Sequence, residues 1–244
     1  MLAAQSSRRH ESDLWVVSAG LGLLPANQNI TNYSATFANN DPDSVAPDRV
    51  GKSAWWNMLA DWRRESGGIG SISDLAISHQ NSKFLIALSF PYLSVLKNDL
   101  TNARSFLTSP ENFLIISSGT KRIPELGDSI LPIDAKFENL VGGARATLNA
   151  RMLRYILENF TTRNLTTKRV SKSLNAIAAE LAAPRTFKRT SLSDKEVIAF
   201  IRKTEKSVSR PSASSLLRRL RDEGSACEQK RFHRIFQATY SQKA

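Results

Sequence analysis

Four stretches of the chain carry residues whose types and spacing suit chemistry on a polar, anionic partner. The first is Val17-Ser18-Ala19-Gly20-Leu21-Gly22, followed by Leu23-Leu24-Pro25. An apolar run ending on a hydroxyl and two glycines offers Ser18 as a hydrogen-bonding group, and Gly22 lets the backbone approach a ligand closely. The plainer reading is a strand-to-loop turn that needs glycine for its geometry. The second is NYSATFANNDPDS, residues 32–44, where Tyr33, Ser34, Thr36, Asn39, Asn40, Asp41 and Asp43 gather donors and acceptors. Such side chains can read a base edge, and Tyr33 or Phe37 can stack on a base. An ordinary polar loop with Asp-Pro turn chemistry accounts for the same residues. The third joins Asp134 to Gly142-Gly143, Arg145, Asn149 and Arg151. Glycines that open a helix expose N–H groups to an anion, and Arg145 and Arg151 flank that start; a turn explains the glycines equally well. The fourth is a C-terminal cluster of Arg210, Arg218, Arg219, Arg221, Lys230, Arg231 and Arg234. Guanidinium and ammonium groups at this density suit phosphate contacts, although a solvated basic helix face would look the same.

Placing these residues requires an ordered set of elements. Continuous apolar runs at residues 13–20, 83–90, 113–119 and 130–137 have the composition of strands buried on both faces. Trp55, Leu59 and Trp62 fall at helical spacing, as do Leu93, Leu96, Leu100, Ala103 and Leu107. The expected fold is α/β, a mostly parallel sheet flanked by helices over residues 10–160. Its strand ends would gather Ser18, Gly22, Tyr33, Asp134 and Asn149 into one cleft. Leu148, Met152, Leu153, Ile156 and Phe160 predict a helix over residues 144–160. Residues 161–192 read as a helical connector and basic linker. Residues 193–244 read as a small basic all-α module of helix-turn-helix type. In it Ser193 and Glu196 form a capping pattern, and Gly224 precedes the last helix.

The run VVSAGLGLLP, followed by Ile30 and Tyr33, resembles the strand–Ser–small–x–x–Gly–Leu–Leu…Tyr signature of the YaaA (peroxide-stress) superfamily. The likeness extends to Asn149 when the strand order and GGARATLN are included. It implies a DNA-binding α/β protein in which Ser18, Gly22 and Tyr33 line the cleft. Through relatives it implies an association with 7-deazaguanine modification of nucleic acid.

Charge narrows the partner. Residues 145–244 hold 22 Lys and Arg against 8 Asp and Glu, a net +14, while residues 1–144 hold 12 against 14, a net −2. A one-sided excess points to a polyanion, and DNA is the expected partner, with other DNA-modification or defence proteins as further candidates. No apolar run is long enough for a membrane span, and no signal-peptide core opens the sequence, so a cytoplasmic location is expected. One cysteine, Cys227, and three histidines, His10, His79 and His233, argue against a disulfide or a zinc site, and no cofactor is expected. No P-loop, H-E-x-x-H or G-x-S-x-G motif occurs, and Asp128, Asp134 and Glu138 single out no acid–base pair. The expected function is DNA binding in DNA modification, damage response or defence. The alternative is an enzyme acting on a nucleobase in DNA, for which the basic module delivers the strand.

Overall fold

The first apolar run turns back on itself. Trp15–Ser18 (β1) pairs antiparallel with Gly22–Pro25 (β2), Ser18 lying opposite Gly22. Gly22 has φ +76°, an angle that glycine adopts without steric cost, and the Ala19-Gly20-Leu21 loop closes the hairpin. The computed structural model describes residues 11–119, 123–183, 188–205 and 211–241. It combines helices with small two-stranded sheets and divides into two compact units, Met1–Pro184 and Arg185–Ala244.

In the first unit, Asp48 caps Arg49–Glu65 (α1) by accepting from the Gly51 N–H, and a Ser71–Asp74 capping box starts Ile72–Ser78 (α2). Phe84–Ala87 (β3) is followed by Phe90–Val95 (α3) and Lys97–Phe106 (α4). Leu96 separates these two helices, where the periodicity alone predicts one. Phe113–Ile116 (β4) pairs parallel with β3, Phe84 opposite Phe113, and Ile130 adds a single parallel bridge to Ile115. Glu138–Val141 (α5), Leu148–Asn159 (α6) and Thr167–Glu180 (α7) complete the unit.

The period-two alternation of β3 and β4 divides the core in two. Phe84, Ile86, Phe113 and Ile115 face a cluster with Trp56, Ile72, Leu100 and Ala103. Leu85, Ala87, Leu114 and Ile116 face another with Leu148, Met152, Ile156, Val170 and Leu174. Helices therefore cover both faces of the parallel pair, which is why its strands are apolar throughout. Of the four runs expected in one sheet, those at 83–90 and 113–119 pair and the one at 130–137 touches by one bridge. The run at 13–20 finds its partner in β2 instead, because apolar Leu23 and Leu24 follow the glycine turn directly.

The second unit consists of Thr190–Ser191 (β5), Asp194–Glu205 (α8), Ala213–Asp222 (α9), Ser225–Ala226 (β6) and Gln229–Ser241 (α10). Two linker residues thus form a strand, Thr190 pairing parallel with Ser225. Ser193 and Glu196 close the expected box at α8, and Ser212 forms another with Ser215 at α9. Gly224, at φ +83°, ends α9, and Val197, Ile201, Leu216, Leu220, Phe232 and Ile235 form a separate core.

Candidate functional site

Ser18 and Tyr33 meet, their hydroxyls 2.5 Å apart. Ser18 Oγ also accepts from the N–H groups of Gly20 and Leu21 at 3.2 and 2.9 Å, so this 3% exposed side chain fixes the hairpin loop. The Tyr33 ring lies so close over Gly20 that a Cβ there would stand 2.7 Å from a ring carbon. Glycine at position 20 is therefore needed for Tyr33 to approach. Phe37 is buried edge-on against Tyr92 at 4.9 Å, and this removes it as a surface for stacking a base. Gly22 serves the turn.

The residues of the third stretch are engaged by the protein itself. Asp134 caps a 3-10 turn, Ala135–Phe137, by accepting from the Lys136 N–H at 2.8 Å. Arg145 pairs with Glu138. Arg151 donates to the Ala144 carbonyl at 2.5 Å, and its guanidinium fills the space that a side chain on Gly143 would need. Gly142 and Gly143, at φ +64° and +72°, form a turn before the 3-10 segment Arg145–Thr147, so α6 begins at Leu148 rather than at the glycines. Among the described residues, no hydrogen bond or ion pair joins Ser18 or Tyr33 to Asp134, Arg145, Asn149 or Arg151.

Asn149 does stand at strand ends. Its Nδ2 donates to the Leu88 carbonyl at 2.8 Å, just beyond β3, and its Oδ1 accepts from the Ser118 N–H at 2.9 Å, just beyond β4. One amide thereby clamps the two exits. Past them opens a cavity of about 810 Å³ whose wall includes Asn39, Arg49, Lys52, Phe90, Lys97 and Ser118. The Lys52 side chain is 1% exposed, and its Nζ donates to the Phe37 and Ala38 carbonyls at 3.1 and 3.2 Å and to Asn39 Oδ1 at 2.7 Å. Lys97 pairs with Glu125, whose carboxyl is held below its ordinary range mainly by that hydrogen bond. Arg49 is exposed at the start of α1 and has no ion pair among the described residues. Asp99 on α4 accepts from Trp56 Nε1 at 3.1 Å and from the Ile72 and Ser73 N–H groups at 3.0 and 2.8 Å, tying α1 and the start of α2 to α4.

Sequence reasoning missed this basic wall. The signal was a lysine on the buried face of α1, where Lys52, Trp56, Leu59 and Ala60 are the buried positions and Trp62 is 48% exposed. A second cavity, of about 580 Å³, follows β3 and is lined mainly by apolar side chains such as Trp15, Leu75, Leu153 and Leu157. Lys83 borders it; burial pushes its ammonium pKa down, and Nζ donates to Asn112 Oδ1 at 2.8 Å.

The C-terminal cluster splits into two sets. Arg231 reaches Asp194 Oδ1 through Nε and Nη2 at 2.7 and 2.5 Å, tying the first turn of α8 to α10 and raising the guanidinium pKa further. Arg219 pairs with Glu223 at 3.1 Å, and Arg221 donates to the Cys227 carbonyl at 3.3 Å. Arg218, Lys230 and Arg234 are exposed and have no ion pair among the described residues. On α10, Lys230, His233, Arg234 and Gln237 are exposed at spacings of three, four and seven, forming one stripe. Burial is the main cause that raises the Cys227 thiol pKa, which disfavours the thiolate a nucleophile needs. Arg210 lies outside the described residues.

Among the described residues, no group of three His, Cys, Asp or Glu side chains is placed to hold a metal ion, and no helix is long and apolar enough to cross a membrane. No protein-family model matches the chain, and no curated protein or solved structure does so either.

Proposed function

We propose that the chain is a DNA-binding protein acting in DNA modification, damage response or defence, with its second unit as a helix-turn-helix-like module that holds the duplex. The observation that carries the reading is a concentration of positive charge in excess of the carboxylates. Residues 185–244 hold 15 Lys and Arg against 6 Asp and Glu, a net +9, while the 184 residues before them carry a net +3. Arg218, Lys230 and Arg234 project from this unit without a carboxylate partner among the described residues. Phosphates would supply the missing counter-charge. The α10 stripe adds Gln237 and His233, whose side chains suit base edges in the major groove. The YaaA-like reading of the first unit is supported by the contact between Ser18 and Tyr33, two residues of the signature.

A gel-shift titration of the full chain on duplex DNA between about 50 and 200 mM salt tests the proposal, because each neutralised phosphate releases a counterion. Replacing Arg218, Lys230 and Arg234 together by Ala should lower the magnitude of the salt slope by about 3 and weaken all sequences similarly. The melting temperature should hold, since these side chains make no ion pair. An unchanged slope would remove them from the interface.

A further inference from the structure

We propose that the cavity beyond β3 and β4 binds a nucleoside monophosphate. Arg49 and Lys97 would hold the phosphate, and the base would rest against Phe90. This inference stands apart from the reading of the second unit.

The position comes first. Parallel strands covered on both faces by helices expose ligands at their carboxyl ends, where chain exits leave a crevice. Here Phe90 follows β3, and Ser118 and Gly119 follow β4, and all three line the wall. At about 810 Å³ the space accommodates a ligand of this class.

Charge decides the ligand's sign. Arg49, Lys52 and Lys97 face the cavity against one carboxylate, Glu125, which Lys97 already engages. Lys52 is the strongest indicator. Its three acceptors use all three N–H groups of an ammonium, yet two are carbonyls and one is an amide oxygen. The charge is solvated by dipoles and has no counterion among the described residues. A buried cation in that state favours an anion in the adjoining space. Lys52 acts through its field, and Arg49 at the rim supplies the direct donors.

A plain anion would leave the rest of the wall unused. Phe90 and Pro91 are half-buried and line the cavity beside the cations, Phe90 packing against the first core. The hydroxyl of Ser118 and the amide nitrogen of Asn39 can reach ring or sugar heteroatoms. An aromatic ring, a few polar handles and a cationic rim together fit a nucleotide, either free or at the 5′ end of a strand.

The test is calorimetric titration of the full chain with dAMP, dGMP, dCMP and TMP, with the matching nucleosides and inorganic phosphate in parallel. At least one nucleotide should bind with submillimolar affinity, and its nucleoside and free phosphate at least about tenfold more weakly. Arg49→Ala, at an exposed site, should weaken the nucleotide about tenfold or more, and Phe90→Ala should weaken the nucleotide without changing the response to phosphate. Competition by a 5′-phosphorylated oligonucleotide, measured with Arg218, Lys230 and Arg234 replaced, assigns the site to strand ends; its absence assigns it to free nucleotides. No binding by any nucleotide at about 5 mM overturns the proposal, as does binding indifferent to Arg49→Ala or phosphate binding as tightly as the nucleotide. Duplex gel shifts with Arg49→Ala should stay at wild type, so failure here and failure of the DNA-binding reading are separable.

Discussion

Asn149 shows how a single side chain can tie two strand exits together. Its donor and acceptor are both used, one on each strand exit, and among the described residues neither the Leu88 carbonyl nor the Ser118 N–H has a second bond that would replace it. Asn149→Ala should cost about 2–4 kcal/mol, since it orphans a carbonyl and an N–H in a partly buried place. Asn149→Asp keeps the acceptor but sets an oxygen against the Leu88 carbonyl, so it should also destabilise, and more at neutral pH than under acid. Urea unfolding checks both; losses below about 0.5 kcal/mol would mean that packing alone holds the exits. The sequence named Asn149 as a candidate for a cleft shared with Ser18 and Tyr33; the structure sets its amide between the exits of β3 and β4, with no hydrogen bond to either of those two residues. Ser18 and Tyr33 were expected only as two residues lining one cleft; the hydrogen bond between their hydroxyls was not legible, because nothing in the sequence fixes how the loop after β2 returns to the hairpin. Lys52 was not legible. A lysine within a helix reads as solvent-facing unless the apolar face is set in the right register, and choosing Trp55 and Trp62 over Trp56 turned that face away from it.

At the scale of elements, strands buried on both faces were readable and reversals were not. The runs at β3 and β4 have no polar alternation, so their burial between helices follows from composition. The β1–β2 hairpin hides because its turn is Ala-Gly-Leu, with none of the polar residues that usually mark one. The Ser193–Glu196 cap of the second unit was readable and the Glu228 contacts at the start of α10 were not; both carry a pH dependence. Hydrogen bonds from Ser193 hold the Glu196 carboxyl below its ordinary 4.5, and the N–H groups of Lys230 and Arg231 do the same for Glu228. A folded-state value below the unfolded one means that this stabilisation is complete above about pH 4.5. It is lost as pH falls through the lower folded values. Glu196→Gln with Glu228→Gln should therefore shrink the drop in melting temperature between pH 7 and pH 3, followed by far-ultraviolet circular dichroism. An identical drop in both proteins would mean that these carboxylates contribute nothing.

At the scale of the whole molecule, charge and compactness mark different boundaries. Positive excess begins near residue 145, yet the compact units divide between Pro184 and Arg185. The difference lies in α6 and α7, where Arg154, Lys168, Arg169 and Lys172 decorate helices whose apolar faces belong to the first core. Side chains that snorkel into solvent follow the partner, and buried ones follow the fold, so a charge count cannot find the division. The two units have separate cores, and the sequence supplies a probe that tells them apart. Trp15, Trp55, Trp56 and Trp62 are all the tryptophans, and all lie in the first unit. Tryptophan emission thus follows the unfolding of that unit alone, while helical dichroism follows both. Leu220 and Leu114 are fully buried in the second and first cores. Each change to Ala should cost its own unit about 2–5 kcal/mol through lost contacts and a cavity. Leu220→Ala should move a dichroism transition to lower temperature and leave the tryptophan midpoint within about 2 °C of wild type, and Leu114→Ala should shift the tryptophan midpoint. A tryptophan midpoint that falls with Leu220→Ala as far as the dichroism does would show one cooperative molecule. A nucleotide bound in the first unit, as proposed, would then stabilise the second as well, and it would be thermodynamically linked to the proposed DNA binding.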